Sequence, residues 1–340
     1  MAADAERGLT VAVTGPTGTF GFGLIPQLEA DERVARIVGV ARRPFDPAAH
    51  GWAKMTYRRG DVRDGTVLRE LFGGADVVVH LAFLVSGAAP ADTIRAVNVD
   101  GTLNCFRAAA AAGARRFVYA SSVAAYGFHP DNPAGMTEDW PVRADGRLFY
   151  AAQKAELEHL LETEAARPMA PALYLLRPSI VLGPHVIGEK GRLPGFLASW
   201  VSQAWRRGLA GWAGRLPIRI PVLVPALPVQ FVHEEDLGQA LRLCVVGAGP
   251  PGAYNIAADG VLTAADVVRE LGLLPVALPA GPAHAAARAL TALPFLPPAA
   301  QWLGAASQPA IMDTARAKRD LGWAPHYTAL EALRDTVQRL

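Results

Sequence analysis

Two hydrophobic rhythms alternate along the first half of the chain. Short apolar runs at Leu9–Val13, Arg36–Ala41, Lys54–Gly60, Asp76–Leu81, Arg116–Ser121 and Ala172–Leu176 read as buried strands. Between them, apolar residues recur at helical spacing around Leu24–Leu28 and over Asp64–Phe72, Asp92–Ala112 and Leu148–Ala166. Strand and helix in strict succession force parallel strands with crossover helices on both faces, a doubly wound α/β sheet. Beyond Pro178 the rhythm loosens. A Gly/Pro-rich passage, Gly183–Gly195, leads to an apolar helical pattern at Phe196–Trp205 and a proline-punctuated segment at Leu216–Pro228. A strand-like VQFVH, a helix over Asp236–Val246, a short strand at Tyr254–Ile256 and helical pieces ending with Leu330–Val337 follow. The division expected is a nucleotide-type domain over 1–178 and a smaller lobe, mainly for substrate, over 179–340, some of whose segments return to the first domain.

Composition narrows this picture in three places. With 51% hydrophobic residues in 340, the chain can bury a large core. With 33 basic and 31 acidic residues the net charge is +2, which gives no general attraction to nucleic acid or an anionic membrane. Cys105 and Cys244 fall in helical patterns without partners at metal-ligand spacing; buried thiols in a reducing compartment are expected, and no metal site. The leading MAADAERG carries no apolar core of a secretory kind, so the cytoplasm is expected. The span Ala289–Met312 contains no charged residue, yet Pro294, Pro297, Pro298 and Pro309 interrupt it. It reads as a cover over an apolar pocket, with membrane-surface contact as the lesser alternative.

Candidate chemistry begins at TGPTGTFG, Thr14–Gly21, between the first strand and first helix. Gly15, Gly18 and Gly21 let the backbone turn tightly and approach a ligand, while free N–H groups at the helix start face an anion such as a dinucleotide pyrophosphate. Thr17, Thr19 and Phe20 share that turn. This makes the sheet Rossmann-type. At the end of the fifth strand stands YASSVAAYG, Tyr119–Gly127, and further on Tyr150 and Lys154 lie one helical turn apart. An ammonium beside a phenol is expected to favour the phenolate and make Tyr150 a general acid/base, with Ser122 holding the same substrate oxygen.

These motifs carry a resemblance. TGPTGTFG, GDVRD at Gly60–Asp64, VVVHLA at Val77–Ala82, NVDGT at Asn98–Thr102, YASSVAAYG, YAAQK, LRPSIVLGP and FVHEEDL together resemble an extended short-chain dehydrogenase/reductase of the epimerase/dehydratase type. The resemblance implies Ser122, Tyr150 and Lys154 as the catalytic set. It also places Asp61 and Val62 against the adenine, Leu81, Ala82 and Ala120 along the cofactor, Pro178 beside the nicotinamide, and Phe83, Ser122 and Tyr126 towards substrate.

After the second strand come Arg42 and Arg43 where NAD users commonly carry a carboxylate, which favours NADP, with NAD the alternative. Relatives acting on nucleotide sugars usually carry an arginine just before FVHEEDL; Val229 and Gln230 stand there instead. With Trp200, Trp205, Trp212 and Trp302 in the second half, an apolar substrate is expected. Arg192, Arg206, Arg207, Arg215 and Arg219 keep a nucleotide-sugar epimerase or dehydratase as the alternative. A non-catalytic nucleotide-binding protein is the minor one, since serine, tyrosine and lysine are all retained. His233 is expected to be a hydrogen-bonding residue at a helix start. A homodimer is expected through the helices at 92–112 and 148–166.

Overall fold

A computed structural model describes residues 8–85, 89–144, 148–186, 221–225, 227–278 and 308–339. Its centre is an all-parallel sheet of seven strands: β1 (Leu9–Thr14), β2 (Val34–Ala41), β3 (Met55–Arg59), β4 (Val77–His80), β5 (Arg116–Ala120), β6 (Ala172–Pro178) and, numbered β11 in chain order, Gly252–Ile256. The spatial order is β11-β6-β5-β4-β1-β2-β3. Chain direction along the sheet therefore reverses between β1 and β4, and the crevice above that reversal is where such sheets bind ligands. All six strands expected in the first half are present, displaced by one or two residues at their ends.

The helices are α1 (Thr19–Ala30), α2 (Gly65–Leu71), α3 (Ala91–Arg95), α4 (Gly101–Ala111) and α5 (Phe149–Ala165). α1 extends well beyond the Leu24–Leu28 pattern, because its first turn alternates phenylalanine with glycine, a spacing of two that does not read as a helical stripe. Asp64 caps α2, accepting hydrogen bonds from the N–H groups of Thr66 and Val67. The single helix expected over 92–112 is interrupted: a π-helical turn, Ala96–Asp100, joins α3 to α4. The two faces of the sheet are covered by separate cores. Val11, Val13, Leu24, Leu28, Val118 and Leu176 belong to one, and Ala12, Val78, Phe106, Phe117, Leu157 and Leu175 to the other, as strand alternation requires.

Past β6 the chain forms β7 (Ile180–Leu182), β8 (Pro221–Pro225), β9 (Pro228–Val229), β10 (Phe231–His233), α6 (Glu234–Val246), β12 (Leu262–Thr263), α7 (Ala264–Glu270), β13 (Leu274–Leu278), α8 (Ala315–Leu321) and α9 (Ala329–Gln338). Strands β7 with β10, β9 with β12 and β8 with β13 make three two-stranded pairs. His233 caps α6 through its ring, which accepts from the Glu235 N–H at 3.2 Å, and stacks on Tyr327 with centroids 3.9 Å apart. The expected helix at 196–205, the uncharged stretch up to residue 307, the four tryptophans and the five arginines named for the second half lie outside the described residues. Among the described residues no helix is long and apolar enough to cross a membrane.

α6 packs across α1, and glycine sets how closely. A Cβ on Gly23 would fall 2.0 Å from the Glu234 carbonyl oxygen, and one on Gly238 would fall 2.0 Å from the Gly23 carbonyl oxygen. Neither obstacle is a flexible side-chain end, so accommodation means moving a helix. Gly238→Ala is expected to destabilise the fold by about 1–3 kcal/mol or more, as overpacked cores do. Urea denaturation followed by circular dichroism checks this; an unchanged midpoint would mean that the two helices slide apart freely.

Candidate active site

Three turns meet above the carboxyl ends of β1, β4 and β5. At the first, Gly15 has φ +71° and its N–H donates to the Val40 carbonyl at 2.9 Å. A Cβ there would stand 2.9 Å from the Ala82 Cα, so both the dihedral and the close backbone approach call for glycine. Gly21 lies against the Pro16 carbonyl oxygen, which an added Cβ would meet at 2.0 Å. Gly18 differs: it is exposed, and the nearest atom to an added Cβ is the Gly15 oxygen at 3.6 Å. It is also the N-cap of α1, and no side chain caps that helix. A shallow cradle backed by free amides is thus left, with the geometry and charge for a diphosphate. Thr17 and Phe20 are half-buried around it, and the Thr19 hydroxyl donates to the His185 carbonyl at 3.2 Å.

Beyond β2, Arg42 and Arg43 are exposed and form no ion pair with a described residue. Their backbone is pinned from β3. The Tyr57 hydroxyl lies 2.5 Å from the Arg43 carbonyl and 3.2 Å from that of Ala41, and Arg59 Nε donates to the Arg42 carbonyl at 3.3 Å. Two guanidinium groups on a held loop suit a phosphate. Asp61 is engaged locally by Arg63, whose guanidinium approaches it to 2.7 Å and holds the carboxyl below its usual range. Val62 is buried against Gly101.

Under the crevice runs a chain of buried polar groups. The Ala82 N–H points to Thr14 Oγ1 at 3.4 Å, and Thr14 Oγ1 lies 2.7 Å from His80 Nδ1. His80 Nε2 lies 2.9 Å from Thr102 Oγ1, which donates to the Asn98 carbonyl at 2.5 Å. Thr102 therefore accepts from His80, leaving Nδ1 to accept from Thr14: the ring is neutral and carries its proton on Nε2. Burial, aided by the Lys154 charge, pushes His80 down to about 3. Asn98 lies in the π-helical turn, and its amide takes both backbone groups of Leu84 at 2.8 and 3.0 Å and reaches Gln153 at 2.8 Å. This fixes Leu81, Ala82 and Phe83 along the crevice wall.

The structure brings Ser122, Tyr150 and Lys154 together. Ser122 lies two residues past β5, caps the short helical turn that follows, and is hydrogen-bonded to the Tyr150 phenol. Lys154 is buried, and its Nζ donates to the Ala120 carbonyl at 2.6 Å and to the Tyr119 hydroxyl at 3.1 Å. The Phe83 ring covers it at 3.8 Å and meets Tyr150 edge-on with centroids 5.6 Å apart. The expected lowering of Tyr150 by a neighbouring ammonium is not what this arrangement does. Desolvation raises the phenol, with the Ser122 hydrogen bond opposing it, and Nζ stands 5.8 Å from the Tyr150 ring centre. Desolvation instead brings Lys154 down to about 7, against the opposing pull of Glu158.

One turn beyond Lys154, Glu158 is buried with Arg177 of β6, the closest approach being 2.6 Å, and also accepts from the Ser121 hydroxyl. Arg177 continues to the Tyr126 hydroxyl at 2.7 Å, which reaches Asn255 of β11 at 2.7 Å. Tyr126, expected towards substrate, is fully buried and its hydroxyl is committed to this network, so it acts in the frame of the site. Sequence reasoning passed over Glu158, although its spacing continues the Tyr150–Lys154 stripe. It also passed over Thr14 and His80, the polar ends of two otherwise apolar strands. Gln230, where a diphosphate-gripping arginine was looked for, spends its amide on both backbone groups of Met312, at 2.8 and 3.0 Å.

Residues 11–257 match the NAD dependent epimerase/dehydratase family. The chain is similar to an uncharacterized protein of Mycobacterium tuberculosis, at 26% identity covering 96% of this chain and 82% of the relative. It is 32% identical to sterol demethylase protein B of Methylococcus capsulatus over 52% of each chain. Among solved structures it resembles the UDP-glucose 4-epimerase of Thermotoga maritima with UDP-glucose, at a TM-score of 0.71 and 18% identity, covering 97% of this chain and 98% of that one.

A lysine whose folded pKa lies below its unfolded value opposes folding once the unfolded chain is protonated. Wild-type stability is therefore expected to fall as pH drops from about 10.5 to about 7, and the Lys154 contribution to level off below that. Lys154→Met removes this dependence, so the variant should gain on the wild type steadily over the same interval. Urea midpoints measured at pH 10, 8.5, 7 and 6 check it; a constant difference would mean an ordinary lysine.

Proposed function

The chain belongs to the NAD-dependent epimerase/dehydratase family, and we propose that within it the protein is an NADP-preferring oxidoreductase interconverting a secondary alcohol and a ketone on an apolar small molecule. The observation that carries this reading is the hydrogen-bonded Ser122–Tyr150 pair with Lys154 buried beside it, above the ends of β5 and β6. The glycine cradle fits the diphosphate of a nicotinamide dinucleotide, which when bound supplies the hydride donor or acceptor at the substrate carbon. Tyr150 handles the proton: its phenol gives it to the ketone oxygen in reduction, and its phenolate takes it from the alcohol in oxidation. Ser122 holds that oxygen in line. Lys154, close to neutral pH in its affinity for a proton, can relay one from the strand end without a large energetic step.

The apolar substrate is supported by Gln230, whose amide is already occupied, and by the Phe83 ring set edge-on against Tyr150. Similarity to sterol demethylase protein B over half the chain adds weight to an alicyclic skeleton. A nucleotide-sugar epimerase or dehydratase is the second reading, supported by the likeness to the UDP-glucose 4-epimerase structure. A homodimer through α3, α4 and α5 is part of the proposal. Arg95–Glu156 at 2.6 Å and Arg107–Glu164 at 2.7 Å tie these helices into one face.

Tyr150→Phe is expected to keep dinucleotide affinity and lose at least a hundredfold in turnover, since only the proton-carrying hydroxyl is removed. The substrate for that assay comes from a thermal-shift screen, with NADP present, of steroids and polycyclic ketones against UDP- and dTDP-sugars. Saturable stabilisation by the sugars alone would promote the second reading. Replacing Arg42 and Arg43 together with alanine should weaken NADP binding about tenfold or more and NAD binding little. Calorimetric titration of both cofactors decides it, and equal losses would count against the NADP preference.

A further inference from the structure

A lysine that relays protons has two states, and each asks for different partners at Nζ. The ammonium has three N–H donors and no lone pair, whereas the amine left behind has two donors and one lone pair. Two oxygens meet Nζ of Lys154. The Ala120 carbonyl, at 2.6 Å, can only accept, and an N–H serves it in either state. The Tyr119 hydroxyl, at 3.1 Å, can accept from the ammonium and donate to the amine.

The place of Tyr119 in the fold does not call for that hydroxyl. The residue is buried in β5, opposite His80 of β4 and Leu175 of β6. Its ring lies nearly parallel to that of His80, with centroids 6.0 Å apart, and Nζ of Lys154 stands 4.6 Å from its centre. A phenylalanine would supply the same ring to both neighbours. What the tyrosine adds is a polar group in a dry place, and the bond to Lys154 offsets its cost. Burial first, then Tyr150 and Glu158, push the Tyr119 phenol well above its ordinary value, so it keeps its own proton. It can turn between accepting and donating without giving that proton away.

The other groups that face Lys154 are otherwise engaged. Glu158, a turn along α5, is paired with Arg177. His80 is neutral and has both ring nitrogens bonded. Ser122 and Tyr150 are bonded to one another, and Phe83 offers only a ring face. Resting on the Ser122, Tyr150 and Lys154 reading above, we propose that Tyr119 is a positioning residue of this site: its hydroxyl accepts from the Lys154 ammonium, donates to the Lys154 amine, and so holds Nζ in one place while a proton comes and goes.

The test is Tyr119→Phe, which keeps the ring and removes the hydroxyl. Lys154 is followed by NMR in ligand-free protein carrying lysine labelled with carbon-13 at Cε. The chain contains four lysines, Lys54, Lys154, Lys190 and Lys318, so the Lys154 signal is assigned by its loss in Lys154→Met. In the wild type it should titrate near 7. In Tyr119→Phe the midpoint should fall by about one pH unit, because the bond lost by the ammonium is stronger than the one lost by the amine. Urea midpoints give a second reading. With its lysine harder to protonate, the variant should lose further ground to the wild type as pH falls from about 8 to about 5.5, and the same substitution made in Lys154→Met should show a deficit that pH does not change. An unchanged or raised Lys154 midpoint would overturn the proposal, as would a deficit in Tyr119→Phe that is equal at every pH, which would mean that the hydroxyl serves the fold alone. Neither measurement uses cofactor or substrate. Failure of the oxidoreductase reading would appear instead as full turnover in Tyr150→Phe, and the two failures stay distinct.

Discussion

A carboxylate and a guanidinium, Glu158 and Arg177, are withdrawn almost entirely from water, and neither could stay there without the other. Leaving one such charge unpaired costs about 3–5 kcal/mol, so the pair fixes where α5 can sit against β6. Everything catalytic hangs from that height. Lys154 and Tyr150 are one and two turns up the same helix, and Ser121, bound to Glu158, anchors the strand end from which Ser122 projects. Through Tyr126 the same network reaches Asn255, so the outermost strand of the sheet is tied to the centre of the site by side chains as well as by its ladder.

The fold was legible because its signal is periodic. Strands β1 to β6 are apolar runs bounded by turns, and buried parallel strands need little else. The glycine turn and the Ser122, Tyr150 and Lys154 set were also readable, since their spacing is local. What escaped was interaction between distant residues. No pattern within 91–111 announces a π-helical turn, because the reason for it, the Asn98 amide bridging to Leu84 and Gln153, lies on two other segments. The direction of the Tyr150 shift was misjudged for a related reason. Spacing tells that a lysine shares a helix face with a tyrosine; it does not tell that the strand end offers the lysine a carbonyl, or how much water each has lost.

His80 and Lys154 show desolvation used twice within one site. Both are cations by habit held near or past neutrality by burial, and the Lys154 charge adds to the lowering of His80. The neutral histidine lets Thr14 and Thr102 be satisfied in a single direction, from the Ala82 amide to the Asn98 carbonyl, without a charge beneath the crevice floor. The lysine is left as the group there whose protonation can change near neutral pH.

The clasp between Gln230 and Met312 has a bearing on how this scaffold could change its substrates. The segment it holds is also paired with Met136 and bound by Asn255, so it is part of the wall rather than a free surface loop. An arginine at position 230 would acquire a charge suited to a diphosphate but forfeit the two-sided amide contact that fastens this wall. Each step alone is a loss: the arginine arrives before its phosphate, or the segment loosens before a replacement contact exists. Gaining a diphosphate-gripping arginine at this position would therefore need coordinated change at two places far apart in the chain, a mutational valley that one substitution does not cross.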